Sequence, residues 1–293
     1  MPRAGIVTVV GKPNVGKSTL LNRIVGQKLS ITSSKPQSTR DRVVGILTDA
    51  DSQMVILDTP GLLNPRYPLQ EAMRSTAIRA LEEADVIVYL ADATEGAPPP
   101  LVEAAQLAAR PRAPVIVALN KSDALPPSRR NELSTLDDAV LISALTGEGI
   151  PELMQKVAQR LPESPFLYPE DEISTQPVRF FVAELVRETV LEQLHDEVPY
   201  SVAVQVEEYR EDRSPLYIRA VIYVERDSQK AIIIGSKGAQ IRRLGEAARK
   251  KIETFVGGQQ VYLDLWVKVL ANWRKNPGSL SRFGYQLATG KTK

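Results

Sequence analysis

The chain has no cysteine and a single histidine, His195, among its 293 residues. Disulfides, thiolate metal sites and cysteine nucleophiles are therefore excluded, and one imidazole cannot build a histidine metal cluster. His195 lies in the polar sequence Leu194-His195-Asp196-Glu197, where a solvated or capping side chain is expected rather than a general base. Long apolar runs are equally absent: Ile6–Val10 and Val86–Ala91 fall far short of the ~20 residues that a helix needs to cross a bilayer. Met1-Pro2-Arg3-Ala4-Gly5 passes straight into a strand-like run with no apolar leader or cleavage site, so a cytoplasmic protein is expected. With 43% hydrophobic and 25% charged residues, the composition is that of a folded globular chain.

Net charge is also small, at +2. Its distribution is not even: residues 1–170 carry 18 lysines and arginines against 19 acids, residues 171–225 carry 5 against 12, and residues 226–293 carry 14 against 4. A basic block of that kind is the electrostatic footprint of a nucleic-acid or anionic-surface contact.

The length suggests two cores. In the first half, strand-like runs at Ile6–Val10, Met54–Leu57, Val86–Leu90 and Val115–Leu119 alternate with helical stretches such as Ser18–Val25 and Leu69–Glu83. That order predicts an α/β domain with a mostly parallel sheet covered by helices on both faces. Prolines between Leu161 and Pro169 break any helix, giving a first domain over 1–165, a linker over 166–177 and a second domain over 178–293 that ends in a basic tail. The second half reads helix, two strands, two helices around Gly235–Gly238, then a strand near 260–269, which is an α+β order.

Gly11-Lys12-Pro13-Asn14-Val15-Gly16-Lys17-Ser18, with Thr19 after it, follows a strand and opens a helix, the context a phosphate-binding loop requires. Its backbone N–H groups and helix N-terminus favour phosphate, Lys17 is expected to reach the β- and γ-phosphates, and Ser18 to ligate Mg²⁺. Asp58-Thr59-Pro60-Gly61 ends the next strand, placing a carboxylate where it can hold Mg²⁺ through water and the Gly61 N–H where it can meet the γ-phosphate. Asn120-Lys121-Ser122-Asp123 decides the base: a carboxylate at Asp123 accepts from guanine N1–H and the 2-amino group, a donor pair that adenine lacks. Lys121 is expected to lie across the base and Asn120 to brace the loops, while Ser143-Ala144-Leu145 can offer a backbone N–H to guanine O6. GTP and GDP are the expected ligands.

These residues resemble the translation-factor-like P-loop GTPases, and Lys35-Pro36-Gln37-Ser38-Thr39-Arg40-Asp41-Arg42 narrows the resemblance to the Era family. The resemblance implies that Thr39 completes the Mg²⁺ shell. Leu62 stands where many regulatory GTPases carry a water-orienting glutamine. Two roles stay open for Asn14: holding K⁺ beside the phosphates, as in related members, or capping the loop. By this reading the catalytic group is Lys17, Thr39, Gly61 and Asn14.

In the second half, Ile232-Ile233-Ile234-Gly235-Ser236-Lys237-Gly238 matches the Gly-x-x-Gly loop by which KH domains clamp about four nucleotides. Lys230, Ile234, Ile241, Arg242, Arg243, Lys250 and Lys251 complete the expected RNA contact. The helix–strand–strand–helix–helix–strand order resembles the type II KH domain of the same family. The resemblance implies a monomeric GTPase that binds the 3′ region of small-subunit ribosomal RNA and assists assembly of the pre-30S particle. Peripheral contact of the basic block with anionic lipid is the alternative.

Overall fold

A computed structural model describes residues 1–33, 35–134, 136 and 139–287; Lys291 and Lys293 of the expected basic tail lie outside the described residues. The chain divides into two units, one of Met1–Pro65 and Ala72–Thr175 and one of Arg66–Glu71 and the residues from Gln176 onward.

The first unit is built on β1 (Arg3–Val10), α1 (Lys17–Val25), β2 (Val43–Thr48), β3 (Ser52–Asp58), α2 (Pro68–Glu83), β4 (Val86–Asp92), α3 (Leu101–Ala104), β5 (Val115–Asn120), α4 (Pro127–Ser134), β6 (Ala139–Leu141) and α5 (Ile150–Arg160). The strands form one sheet in the order β2-β3-β1-β4-β5-β6. All neighbours are parallel except β2 and β3. The β-branched runs are buried on both faces, as a parallel sheet between helices demands. From Ala72 onward α2 buries Met73, Ala77 and Ala80, a stripe at helical spacing. Register then aligns the strand ends: Val9 pairs with Asp58, Asp92 with Asn120 and Leu119 with Leu141, so the segments after β1, β3, β5 and β6 all leave from one edge. The chain order reverses about β1, the position where open α/β sheets bind ligands.

The proline-rich stretch does not hang free of this unit. Gln53, fully buried, accepts the backbone N–H groups of Leu167 and Tyr168 at 2.7 and 2.9 Å and donates to Tyr168 O at 2.9 Å. Further along, the Ile46 N–H donates to Ile173 O at 2.9 Å and Ser174 Oγ to Val44 O at 2.5 Å.

The second unit contains α6 (Val178–Gln193), α7 (Val198–Ser201), β7 (Ala203–Arg210), β8 (Leu216–Val224), α8 (Asp227–Ile234), α9 (Ala239–Phe255), β9 (Val261–Val269) and α10 (Pro277–Arg282). β8 is central, antiparallel to β7 and parallel to β9. One sheet face packs against α6, α8 and α9 through Val182, Val186, Ile218, Ile222, Leu244 and Ile252. His195 is exposed beyond the end of α6.

Candidate functional site

The phosphate-loop sequence forms the turn between β1 and α1. Gly16 has φ 100°, and a Cβ there would lie 2.3 Å from Asn120 Nδ2, so no other residue fits. Asn120 donates to Val15 O at 2.7 Å and accepts from the Ala144 N–H at 2.8 Å, tying three loops together. Lys17 is buried, its ammonium donating to Gly11 O at 3.2 Å and Lys12 O at 2.9 Å. Burial lowers its pKa to about 8 against the opposing pull of Asp58. A phosphate in the loop would supply the missing counter-charge. Asn14, in the left-handed region at φ 63°, is exposed at the mouth of the cleft.

Three oxygens converge behind Lys17. Ser18 Oγ donates to Asp58 Oδ2 at 2.7 Å, and Thr39 Oγ1 lies 2.8 Å from Ser18 Oγ and 3.5 Å from Asp58 Oδ2. Asp58 is wholly buried and its Oδ1 has no partner, an orphaned acceptor in an all-oxygen group suited to a hard cation such as Mg²⁺. Desolvation raises the Asp58 pKa, with Lys17 and the hydroxyls of Ser18, Ser30 and Thr39 pulling it back.

Thr59 Oγ1 donates to Val9 O at 2.9 Å and the Leu62 N–H to Gly11 O at 2.9 Å, so the segment after β3 is anchored beneath the phosphate loop. Gly61 lies against Pro13, where a Cβ would come within 2.7 Å of the Pro13 nitrogen. The Leu62 side chain packs into the core with Val10, Ala77 and Leu81, so position 62 presents backbone, not a side chain, to the site.

On the base side, Lys121 Nζ reaches Asp92 Oδ2 at 2.5 Å, Ser122 Oγ donates to Glu148 Oε2 at 3.1 Å, and Ser143 Oγ donates to Asp123 Oδ1 at 2.5 Å. Of the three backbone N–H groups in Ser143-Ala144-Leu145, that of Ser143 donates to Glu148 O at 2.9 Å and that of Ala144 to Asn120 at 2.8 Å. Arg23 of α1 donates to the carbonyls of Ala144 and Leu145.

A cleft of about 280 Å³ brings these pieces together, lined by Pro13, Asn14, Gly16, Lys17, Ser18 and Thr19 on the phosphate side and by Asn120, Lys121, Asp123, Ala144 and Leu145 on the base side, with Thr39 and Gly61 between them. Gly11, Val15, Asp58, Thr59, Pro60, Leu62, Ser122 and Ser143 stand behind this lining, and Lys12 turns aside to Glu95 at 3.0 Å. Sequence reasoning missed Ile31, Thr32, Ser33 and Ala124 in the lining and Asp92 and Glu148 behind it, and gave Gln37 and Ser38 of the Lys35–Arg42 segment no site role. Ile31, Thr32 and Ser33 belong to a loop without a motif, whereas Asp92 carried a readable signal as a carboxylate at a strand end.

In the second unit the Gly-x-x-Gly segment joins α8 to α9. Gly235 has φ 71°, and a Cβ there would meet Gln240 at 2.7 Å; Ser236 and Lys237 point outward, both exposed. Arg242 donates to Lys237 O at 3.2 Å, bracing the loop. A cleft of about 340 Å³ between α9 and β9 is lined by Ile241, Arg242, Gly245, Arg249, Tyr262 and Leu265 among others. Only Ile241 and Arg242 of the expected RNA contacts lie in its wall. Ile234 packs at the edge of the core, half-buried Lys230 lies on α8, and Arg243 and Lys250 are exposed outside the cleft wall. Lys251, another of the expected RNA contacts, has its ammonium held by Glu188 at 2.8 Å and Glu192 at 2.6 Å on α6, because a buried carboxylate needs a counter-charge. Other cations of the basic block are also paired, Lys268 with Glu207 at 2.9 Å and Arg274 with Glu225 at 2.5 Å.

Comparison with known proteins matches residues 6–121 to a family described as 50S ribosome-binding GTPase and residues 197–274 to the KH domain. GTPase Era of Carboxydothermus hydrogenoformans is 41% identical over 292 residues, covering 97% of this chain and 98% of that one. Among solved structures, a variant of Aquifex aeolicus Era bound to GDP.AlF4⁻ aligns with a TM-score of 0.90 at 41% identity over 97% of this chain and all of that chain. Era in complex with MgGDPNP and nucleotides 1506–1542 of 16S ribosomal RNA aligns with a TM-score of 0.91 at 41% identity over 98% of this chain and all of that chain.

Proposed function

This chain belongs to the Era family of GTPases, and from that premise we propose that it is a GTP-clocked factor that binds the 3′ region of small-subunit ribosomal RNA and assists assembly of the pre-30S particle. It works as a monomer in the cytoplasm, handling GTP with the residues before Thr175 and RNA with those after it. The observation that carries the reading is the meeting of four strand-end segments in one cleft, two suited to phosphate and two to guanine, in a chain whose second unit holds a Gly-x-x-Gly loop beside a second cleft.

Lys17 and the loop N–H groups bind the phosphates, and Asp123 reads the base. Mg²⁺ fits the group formed by Ser18, Thr39 and Asp58, where it would neutralise charge on the β- and γ-phosphates. Gly61 offers its N–H to the γ-phosphate. GTP then orders the segments around Thr39 and Gly61, and hydrolysis releases them and the bound RNA. With Leu62 turned into the core, no side-chain amide at that position orients water. Asn14 would hold K⁺ beside the phosphates, where the ion would supply the positive charge that an arginine finger supplies elsewhere.

GTP turnover of the full chain, measured in K⁺ and in Na⁺ with and without a 3′-end ribosomal RNA fragment, tests the whole reading. Turnover that rises severalfold with RNA and falls on replacing K⁺ by Na⁺ is expected, with the ion difference lost in Asn14→Ala. Equal rates in both salts would refute the potassium assignment alone. Tight binding to anionic vesicles with none to RNA would replace the ribosomal reading by a membrane-surface one.

A further inference from the structure

The base-reading tetrad starts at the last residue of β5, and the Ser122 N–H donates to Ile142 O at 3.0 Å. Ser122–Ala124 forms a single 3-10 turn, and Lys121 sits in the left-handed region at φ 69°, which disfavours a residue with a Cβ. Asn120 and Asp123 have partners within the nucleotide motifs. The two residues between them are instead held by carboxylates that no nucleotide motif contains.

Asp92 ends β4 in register with Asn120, one strand away. Its side chain is 10% exposed and is itself fixed, since Oδ1 accepts the Thr94 N–H at 2.9 Å and the Thr94 hydroxyl at 2.6 Å. The other oxygen takes the Lys121 ammonium at 2.5 Å, and Lys121 lines the cleft. Glu148 accepts the Ser122 hydroxyl at 3.1 Å, pairs with Arg130, and through its backbone carbonyl accepts the Ser143 N–H at 2.9 Å.

We infer that Asp92 and Glu148 are positioning residues for guanine recognition: Asp92 fixes the Lys121 stem that walls the base, and Glu148 locks the tetrad to the loop carrying Ser143 and Ala144. The inference rests on the reading of Asn120–Asp123 as the guanine site. Among the described residues the hydrogen bonds of Lys17 and Ser18 go to Gly11, Lys12, Thr39 and Asp58 and not to either carboxylate, so the effect of Asp92 and Glu148 falls on the nucleoside end of the ligand and is common to GDP and GTP.

Asp92→Ala is expected to weaken GDP and a non-hydrolysable GTP analogue alike, by about tenfold, and Glu148→Ala by about threefold. The KM for GTP rises in step while kcat changes less than twofold. In a Lys121→Met background, Asp92→Asn, which keeps the Thr94 acceptor, should cost nothing further, and in Ser122→Ala, where only the Arg130 pair is left to lose, Glu148→Ala should cost less than it does alone. Asp92→Asn, which keeps an acceptor for Thr94, should still weaken both nucleotides and so separates loss of the Lys121 pair from loss of the turn cap. A penalty that persists undiminished in Lys121→Met, or that is confined to the triphosphate, overturns the assignment. So does unchanged affinity in Asp92→Ala. If Asp123→Asn also leaves affinity unchanged, the guanine reading itself fails; if only Asp123→Asn weakens binding, the failure is confined to the two carboxylates.

Discussion

Ser236→Asp combined with Lys237→Asp is expected to abolish binding to a small-subunit ribosomal RNA 3′-end fragment while GTP affinity stays within twofold of wild type. The pair changes the loop by three units of charge at exposed positions. A unit charge about 4 Å from a phosphate in water contributes about 1 kcal/mol, so the loss amounts to about 3 kcal/mol, or on the order of 100-fold in affinity. Folding should survive. Neither side chain belongs to the core of Val182, Leu244 and Ile252, and at position 237, where φ is 49°, aspartate tolerates the left-handed region better than most residues. Filter binding or fluorescence anisotropy reads the first outcome and a fluorescent GDP titration the second. Wild-type affinity for the RNA would remove the second unit from the proposed function.

The other large effect is expected at the base. In Asp123→Asn, Ser143 Oγ can still donate to the retained oxygen, which leaves the new amide nitrogen as the group offered to the ligand. Guanine then meets a donor where it needs an acceptor. Each charge-assisted hydrogen bond lost costs about 1.5–3 kcal/mol, so GTP affinity should fall at least about 100-fold. Xanthosine triphosphate, which carries a carbonyl in place of the 2-amino group, should gain by a similar factor. Competition between the two nucleotides for the variant measures the reversal directly, and unchanged preference for GTP would show that Asp123 does not read the base.

Much of this site was legible because its residues sit where local rules are strict. Gly16, Lys17 and Ser18 follow a buried strand and open a helix, and a turn of that kind leaves few alternatives. Asp58 and Asn120 end β-branched runs, so their shared edge followed from the alternation of strand and helix. β2 escaped notice although Val43, Val44 and Ile46 are strand formers: Gly45 interrupts the run, and its reason lies in packing, because a Cβ there would come within 2.7 Å of Leu21 and Val25. Asp92 and Glu148 were invisible as a pair, since their partners lie 29 and 26 residues away and only register brings them together. In the second unit, charge alone does not show which cations are paired within the fold. Lys251 reads as one more cation of a basic helix until α6 is packed beside it, while Gly245 and Tyr262, neither of them basic, line the cleft.

The carboxylates that hold Lys251, Lys268 and Arg274 also set how the second unit should respond to salt. A cation that meets phosphate displaces a condensed counterion from the nucleic acid, and each such contact to a single strand steepens the fall of log K with log salt by about 0.7. If all 14 lysines and arginines after residue 225 took part, the slope would be about −10. Among the described residues three of them, Lys251, Lys268 and Arg274, are already paired with Glu188, Glu192, Glu207 and Glu225 within the fold, so they are not counted among the phosphate contacts. A strand held by about five of the remaining cations gives a slope near −3.5. RNA held in this way stays bound at ionic strengths that strip a purely electrostatic contact, and a titration of affinity against KCl would count the phosphates the protein touches.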